Sequence, residues 1–508
     1  MCSAETCPVV PANERSVESL PDLPSFIGAE FVETGLWINN INPRDGSLIA
    51  RVAECNEAHL NRAVRAAKAA AQQWARVSVT ERSAFLLALA EGIESRFEEF
   101  VEAESLDTGK PIDQARSLDV PRAIANLKFF ANVLLTETSE SFASETKDSR
   151  SALNYTVRKP LGVIGVICPW NLPLLLLTWK VAPALATGNA VIIKPSEHTP
   201  TSATLLAQVA DKLGAPVGIL NVLHGRGPQS VGEMIAAHPG VDAVTFTGSS
   251  TTGSKIMRAA SSEVKPLSFE LGGKNSAIVF SSADIDAAVA GVVRSAFSNS
   301  GQICLCTERV YVQADIFEPF LSKFKEAVNA LSFDDSSRGW LTLGPLISGD
   351  QRDKVLRYFD LATQEGAETI TGGGVPQFGD GRDHGFFVQP SVFTGLPRHS
   401  SFVREEIFGP VCHVEKFTTE DEVIAVSNDS SFGLAASIWT SDINVAHRVA
   451  PNLDVGMVWI NDWFQRDLRA PFGGTKLSGI GREGGNHSLD FYAPPSNICL
   501  SIANGLPV

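Results

Sequence analysis

A chain of 508 residues with 44% hydrophobic and 19% charged content can build two or more full hydrophobic cores and is too apolar to stay disordered. Its formal net charge of −15 and pI near 5.2 argue against nucleic acid or an anionic membrane as partner. Eight cysteines lie scattered without zinc-type spacing, so no metal is expected and the thiols read as free in a reducing compartment.

Residues 1–24 are rich in Pro, Glu and Ser and read as a loose tail. The start has no basic segment followed by an apolar run, and a cytoplasmic address is the simplest reading. An Ala-rich helix is expected over 62–74, and apolar residues recur at helical spacing over 83–100. After residue 157 the pattern changes. Apolar runs at 161–168, 190–193, 219–223 and 243–246 predict buried strands, with helices near 174–187, 199–213 and 228–238 between them. The most apolar stretch, 161–193, is broken by Pro169, Asn171, Pro173 and Lys180, so it reads as core rather than a membrane span. Short β-rich runs alternating with helices predict a parallel sheet covered on both faces, a doubly wound α/β architecture. A second α/β unit follows, with strands at 276–280 and 310–312 and helices at 285–298 and 319–331, and continues to about 460. The flanking segments 138–157 and 486–502 have alternating character.

The residues that carry chemistry stand at the ends of these elements. Cys304 lies in Gly301-Gln302-Ile303-Cys304, and Glu270 opens Glu270-Leu271-Gly272-Gly273-Lys274. A thiol is a strong nucleophile only as its thiolate, and a carboxylate can act as base for a thiol or for water. Only a fold can bring the two together, since they are 304 − 270 = 34 residues apart. Cys306 is the local competitor. Phe246-Thr247-Gly248-Ser249 ends a strand and opens a helix, where glycine permits close approach, Ser249 can cap, and the helix N-terminus favours a pyrophosphate; an ordinary capped turn has the same pattern. No complete Gly-x-Gly-x-x-Gly is present, because Gly225-Arg226-Gly227-Pro228 lacks the third glycine. Lys194-Pro195-Ser196-Glu197 follows a strand end, where ligands of open α/β sheets bind.

With Pro169-Trp170-Asn171 and Glu405-Glu406-Ile407-Phe408-Gly409-Pro410, these motifs run in order over about 25–500, and the chain resembles the NAD(P)-dependent aldehyde dehydrogenase superfamily. The resemblance implies two doubly wound α/β domains plus a small β oligomerisation extension. The NAD-binding domain would comprise 25–137 and 158–271, the catalytic domain 272–470, and the extension 138–157 with 486–502. A homodimer or homotetramer is implied with them. Cys304 would be the nucleophile, Asn171 the side-chain donor to the oxyanion beside the Cys304 backbone N–H, and Glu270 the activator of the hydrolytic water. An asparagine after tryptophan in a loop can also be a plain turn former. Acyl-transferring relatives that use coenzyme A generally lack such a glutamate. Lys180 either orients groups near the nicotinamide or satisfies backbone carbonyls.

By the same resemblance, the cofactor would lie against Trp170, Lys194, Glu197, Gly227, Phe246, Gly248, Ser249, Leu271, Glu406 and Phe408. A carboxylate at Glu197 accepts from both ribose hydroxyls and repels a 2′-phosphate, which favours NAD over NADP. Leu172, Trp179, Arg122 and Arg466 would line the substrate channel, with Arg469 a weaker candidate. Arginine's planar fork suits a carboxylate; surface pairing with Asp119, Asp462 or Asp467 is the alternative for these arginines. Cys304-Leu305-Cys306-Thr307 and His487-Ser488-Leu489-Asp490-Phe491-Tyr492 are similar to the 2-aminomuconic and 2-hydroxymuconic semialdehyde dehydrogenase subgroup. The substrate class this implies is an aldehyde with a carboxylate at its far end. The other readings are a dehydrogenase for betaine aldehyde, succinic semialdehyde or another polar aldehyde, and a catalytically silent protein with the same fold.

Overall fold

The computed structural model describes residues 20–145, 151–333, 339 and 341–502. Most of the expected tail lies outside these residues; of its last positions, Asp22–Leu23 pairs with the strand Leu48–Ala53. Among the described residues, no helix is long and apolar enough to cross a membrane, and no group of three or more His, Cys, Asp or Glu side chains is placed to hold a metal ion.

Two sheets dominate. The first has eight strands, of which the five central ones are parallel, in the spatial order Leu267–Glu270, Ala243–Thr247, Val163–Ile167, Ala190–Lys194, Leu220–Val222. These strands read as unbroken apolar runs because helices cover both faces: every residue of Val163–Ile167, Ala190–Lys194 and Ala243–Thr247 is buried. The chain starts at Val163–Ile167, runs outward one way to Leu220–Val222, then returns to the other side for Ala243–Thr247. The sheet therefore reverses direction between Val163–Ile167 and Ala243–Thr247, and the carboxyl ends of those two strands border a crevice of the kind in which ligands of open α/β sheets bind.

Helix Glu57–Trp74 extends the predicted 62–74 segment to Asn56, whose side chain accepts from Ala58 N and His59 N. The apolar spacing at 83–100 covers two helices, not one. Val79–Ser95 stops at Arg96, whose backbone leaves the helical region (φ −118°, ψ 27°), and Phe97–Thr108 follows. Both helices pack on the same cluster through Leu86, Leu89, Ile93 and then Phe100 and Val101, so the apolar period runs through the break.

The second sheet has seven strands: Glu368–Thr371, Ser391–Thr394, Val411–Phe417, Thr307–Gln313, Asn275–Val279, Ala435–Trp439 and Met457–Ile460, all parallel except the first. Its helices, including Ile285–Phe297 and Phe317–Asn329, bury a separate cluster around Val292, Phe297, Phe320 and Phe324. A third, three-stranded antiparallel sheet joins Ser141–Glu145, Ser151–Arg158 and Pro495–Ile502. The helix Gly485–Tyr492 ahead of its last strand packs on the first core through Leu489 and Tyr492.

Candidate active site

The carboxyl ends of the first sheet carry the motifs. Val163–Ile167 leads into Pro169-Trp170-Asn171, Ala243–Thr247 into Gly248-Ser249, and Leu267–Glu270 ends on the glutamate itself. A cleft of about 630 Å³ lies between these ends and the second sheet, lined by Trp170, Asn171, Gly248, Leu271, Glu406, Phe408 and Cys304 among others. A second cavity, of about 370 Å³, lies on the other side of the sulfur and is lined by Arg122, Trp179, Glu270, Arg466, Phe472, Glu483 and again Cys304. Cys304 and Thr247 face both.

The loop that presents Cys304 is held by the backbone. Asn299, Ser300 and Gly301 are successive left-handed residues (φ 50°, 55° and 72°), a conformation that needs outside support. Ser300 Oγ donates to Gly344 O at 2.7 Å, Gln302 Nε2 donates to Pro345 O at 3.2 Å, and Ile347 N donates to Gln302 Oε1 at 3.0 Å. A Cβ on Gly301 would collide with the Gly409 carbonyl, so only glycine fits there. Asn275 Nδ2 donates to the carbonyls of Cys304 (2.7 Å) and Cys306 (2.8 Å). The two cysteines differ in surroundings: Cys306 is buried with its sulfur 3.6 Å from Ser298 O, whereas Cys304 opens onto both cavities.

Asn171 is buried beside it. Its Nδ2 donates to Gln302 O at 2.9 Å, leaving the second amide hydrogen of that nitrogen free to donate. Burial, then the Glu270 and Glu406 carboxylates, push the Cys304 thiol up to about 12, so the resting group at neutral pH is the thiol. Glu270 is 3% exposed, and neither carboxylate oxygen has a partner among the described residues. Burial and the neighbouring Glu483 carboxylate hold it well above the usual carboxylate range, against the opposing charges of Lys180, Arg466 and Arg482. Lys180 is fully buried and pairs with Glu483 at 2.6 Å, so a carboxylate rather than a backbone carbonyl satisfies it.

In the larger cleft, Glu406 accepts from Gly273 N at 2.8 Å, and a Cβ on Gly272 would strike its carboxylate. Burial and Glu308 raise the Glu406 carboxyl to about 7. Phe408 is left-handed (φ 60°), held by Glu308 accepting its N–H at 2.9 Å and by Gln351 donating to its carbonyl at 2.8 Å; its ring meets Trp170 edge-on at 5.4 Å. Ser249 caps the helix Ser250–Ala260, and a further groove along that helix is lined by Gly227, Gly232, Thr252, Lys255 and Ile256. Lys194 and Glu197 form an ion pair of 2.8 Å just past their strand. Phe246 packs on Phe269 and under Gly248, behind the cleft wall rather than on it. Leu271 lines the cleft directly.

In the smaller cavity, the Arg466 guanidinium lies 3.8 Å from the Phe472 ring centre and 5.3 Å from that of Trp179, and its Nη2 is buried without a partner among the described residues. Burial and the nearby Arg122 charge lower it to about 10, which leaves it cationic at neutral pH. Arg122 donates through Nε to Asn126 Oδ1 at 3.3 Å. The acids that could have paired with these arginines are engaged elsewhere: Asp119 with Lys110, Asp462 with Arg294, and Asp467 with Arg469 on the surface. Arg469 accordingly stands outside the cavity. Leu172 is buried with Ile303, Leu305 and Trp463 and backs the wall instead of lining it. Thr247, Glu483, Asn126 and Phe472 are site residues that motif reading missed. The one local signal for Glu483 is its glycine-rich setting, Gly481-Arg482-Glu483-Gly484-Gly485, in which all three glycines have positive φ.

Known proteins are similar to this chain over nearly its whole length. The aldehyde dehydrogenase family model matches residues 31–498. A 2-aminomuconic 6-semialdehyde dehydrogenase of Pseudomonas sp. is 51% identical over 95% of this chain and 99% of its own. A 2-hydroxymuconic semialdehyde dehydrogenase of Pseudomonas sp. (strain CF600) is 49% identical over 95% of this chain and all of its own. Among solved structures, an NAD+ complex of an aldehyde dehydrogenase from Bacillus cereus superposes with a TM-score of 0.89 at 36% identity, covering 97% of this chain and 99% of that one. A match over nearly the whole length leaves one assignment: this chain belongs to the aldehyde dehydrogenase family.

Proposed function

We propose that this enzyme oxidises an aldehyde carrying a remote carboxylate, of the 2-aminomuconic or 2-hydroxymuconic semialdehyde type, to the corresponding dicarboxylate with NAD. The observation that carries the substrate class is a half-buried pair of arginines, Arg122 and Arg466, in the same cavity as Cys304, with the nearby aspartates ion-paired elsewhere. A cavity with this charge favours an anion, and it disfavours a cationic aldehyde such as betaine aldehyde.

The residues fit NAD. The capped N-terminus of Ser250–Ala260 suits a pyrophosphate, the groove at Gly227 and Ile256 suits a flat base, and Glu406 and Phe408 border the sulfur at the far end. Lys194 and Glu197, an ion pair just past their strand, would hold the adenosine ribose. When bound, NAD supplies the acceptor for the hydride that leaves the substrate carbon.

In the reading proposed here, Cys304 loses its proton to Glu270 and its sulfur adds to the aldehyde carbon, moving the carbonyl electron pair onto oxygen. Asn171 Nδ2 and the Cys304 N–H hold that oxyanion. Loss of hydride leaves a thioester on Cys304. Glu270 releases that proton to solvent and then takes one from water, which adds to the thioester carbon; the C–S bond breaks, the Cys304 thiolate recovers the proton from Glu270, and the acid departs. Glu270 suits both proton transfers because burial and the Glu483 carboxylate raise its proton affinity above that of an ordinary carboxylate. The three-stranded sheet exposes Phe142, Ile498 and Leu500, which supports a homodimer or homotetramer built on it.

The deciding experiment is a panel of aldehydes with NAD, read as kcat/KM, with a muconic semialdehyde generated in situ by a ring-cleaving dioxygenase. The carboxylated semialdehyde is expected to exceed neutral and cationic aldehydes by about 10²-fold or more, the scale of two charge-assisted contacts. Parity across the panel would remove the substrate assignment.

A further inference from the structure

Outside both cavities, one buried cluster of charges touches the elements that hold the two ends of the substrate. Lys110 Nζ pairs with Asp119 and donates to the backbone carbonyl of Asn171 at 3.0 Å; the two paired side chains are 3% and 1% exposed. The same Asn171 carbonyl accepts from Asn299 Nδ2 at 3.2 Å, so the loop of Cys304 joins the junction. Asp119 closes a π-helical turn, Ala115–Asp119, three residues before Arg122. A π turn carries an extra residue and re-aims whatever follows it.

Lys110 is itself fixed. Its carbonyl accepts from Arg44 Nη2 and Ser105 Oγ, each at 2.7 Å. Gly109 before it is left-handed (φ 72°), and a Cβ there would come within 2.5 Å of Pro345, whose carbonyl accepts from Gln302. The turn thus packs on the segment that braces Cys304. Glu104, also buried, accepts from Leu174 N at 3.0 Å, at the start of the helix that carries Trp179 and Lys180.

A buried ion pair is a weak source of stability, since losing the water around two charges offsets most of their attraction. Its geometric consequence here is larger. We propose that Lys110 and Asp119 are positioning residues that lock the oxyanion donor Asn171 to the Arg122 helix, so that the aldehyde end and the carboxylate end of the substrate are held in one register. The proposal rests on the roles given above to Asn171 and Arg122.

The test is the double variant Lys110→Met/Asp119→Leu, which removes both charges together and keeps the site apolar, assayed with a carboxylated semialdehyde and with a neutral aldehyde. The expected result is kcat lowered about 10- to 100-fold on both substrates, the scale of a misplaced catalytic group. KM should rise for the carboxylated substrate only, with the melting temperature unchanged or raised. In an Asn171→Ala background, the same double change should alter kcat less than about twofold, because both act through one contact. Wild-type kcat and KM on both substrates would overturn the proposal, as would an effect that multiplies in full with Asn171→Ala. If the apolar pair does not fold, Lys110→Gln/Asp119→Asn is read by the same criteria. Failure of the underlying reading is distinguishable, because Asn171→Ala alone would then leave kcat nearly intact.

Discussion

The two sides of the Cys304 sulfur are built on opposite principles. On the cofactor side, polar groups find partners within the protein: Glu406 on Gly273 N, Glu308 on the backbone of Ile407 and Phe408, Lys194 on Glu197, and Ser249 on its helix. On the substrate side, buried polar atoms have no protein partner among the described residues, including both Glu270 oxygens, Arg466 Nη2, Trp179 Nε1, Thr247 Oγ1 and Glu483 Oε2. A satisfied group is rigid and cheap to keep; an unsatisfied buried one costs about 1–3 kcal/mol and is normally resolved by a ligand or water. One side is largely complete as folded, with Asn171 Oδ1 and the shared Thr247 Oγ1 as its exceptions, and the other is completed by what it binds. Substitutions on the first side should then lower stability as well as function, and those on the second should lower function alone.

The largest expected effect belongs to Asn171, which stands at the boundary. Asn171→Ala is expected to lower kcat by about 10²–10³-fold, the value of one oxyanion donor. A loss below tenfold in steady-state assays would mean that the side chain serves only its bond to Gln302 O. Next come Arg466→Ala and Arg122→Ala, each expected to raise KM for a carboxylated semialdehyde by about 10- to 100-fold, at roughly 1.5–3 kcal/mol per charge-assisted bond. A neutral aldehyde should be affected far less, and the melting temperature of Arg466→Ala should not fall, because Arg466 Nη2 leaves no protein partner behind, whereas Arg122→Ala also frees Asn126 Oδ1. Equal losses on both substrates would make these arginines wall rather than anchor. On the cofactor side, Glu197→Gln is expected to move the NAD-over-NADP ratio toward NADP by about tenfold, the scale of one lost charge contact. It should also lower the melting temperature, since it strips Lys194 of its partner. An unchanged cofactor ratio would remove Glu197 from the ribose.

The comparison also explains how much could be read from the sequence. The parallel strands were legible because coverage on both faces makes each an unbroken apolar run, and four predicted runs became Val163–Ile167, Ala190–Lys194, Leu220–Val222 and Ala243–Thr247. Motifs at strand ends followed from the architecture. Facing direction was harder. Phe246 and Thr247 are neighbours on one strand, and successive side chains point to opposite faces, so only the threonine reaches the cavities. Glu483 has no local signature linking it to Lys180, 303 positions away in the chain, because their contact exists only after the short strand Gly479–Ile480 pairs with Leu267–Glu270 at the edge of the first sheet. The arginines were visible as residue types; that Asp119, Asp462 and Asp467 were already engaged could be seen only in three dimensions.

Glu270 gives the finest cut between the two sides. Its carboxyl is held above the ordinary range in the folded protein, so the fold binds that proton more tightly than the unfolded chain does. Below the unfolded value near 4.5 the group is neutral in both states and costs nothing. As pH rises from there toward the folded value, the unfolded chain releases its proton first, and wild-type stability falls by up to about 1.4 kcal/mol per pH unit from this group. Glutamine does not titrate. Glu270→Gln should therefore match the wild-type melting temperature near pH 4.5 and exceed it by a margin that widens as pH rises, while turnover collapses with both the first burst of NADH and thioester hydrolysis slowed. A margin that stays flat, or reverses, would mean that Lys180 or Arg466 already stabilises an ionised Glu270 in the resting protein. The substrate side would then be as self-satisfied as the cofactor side, and the contrast between them would fail at its central residue.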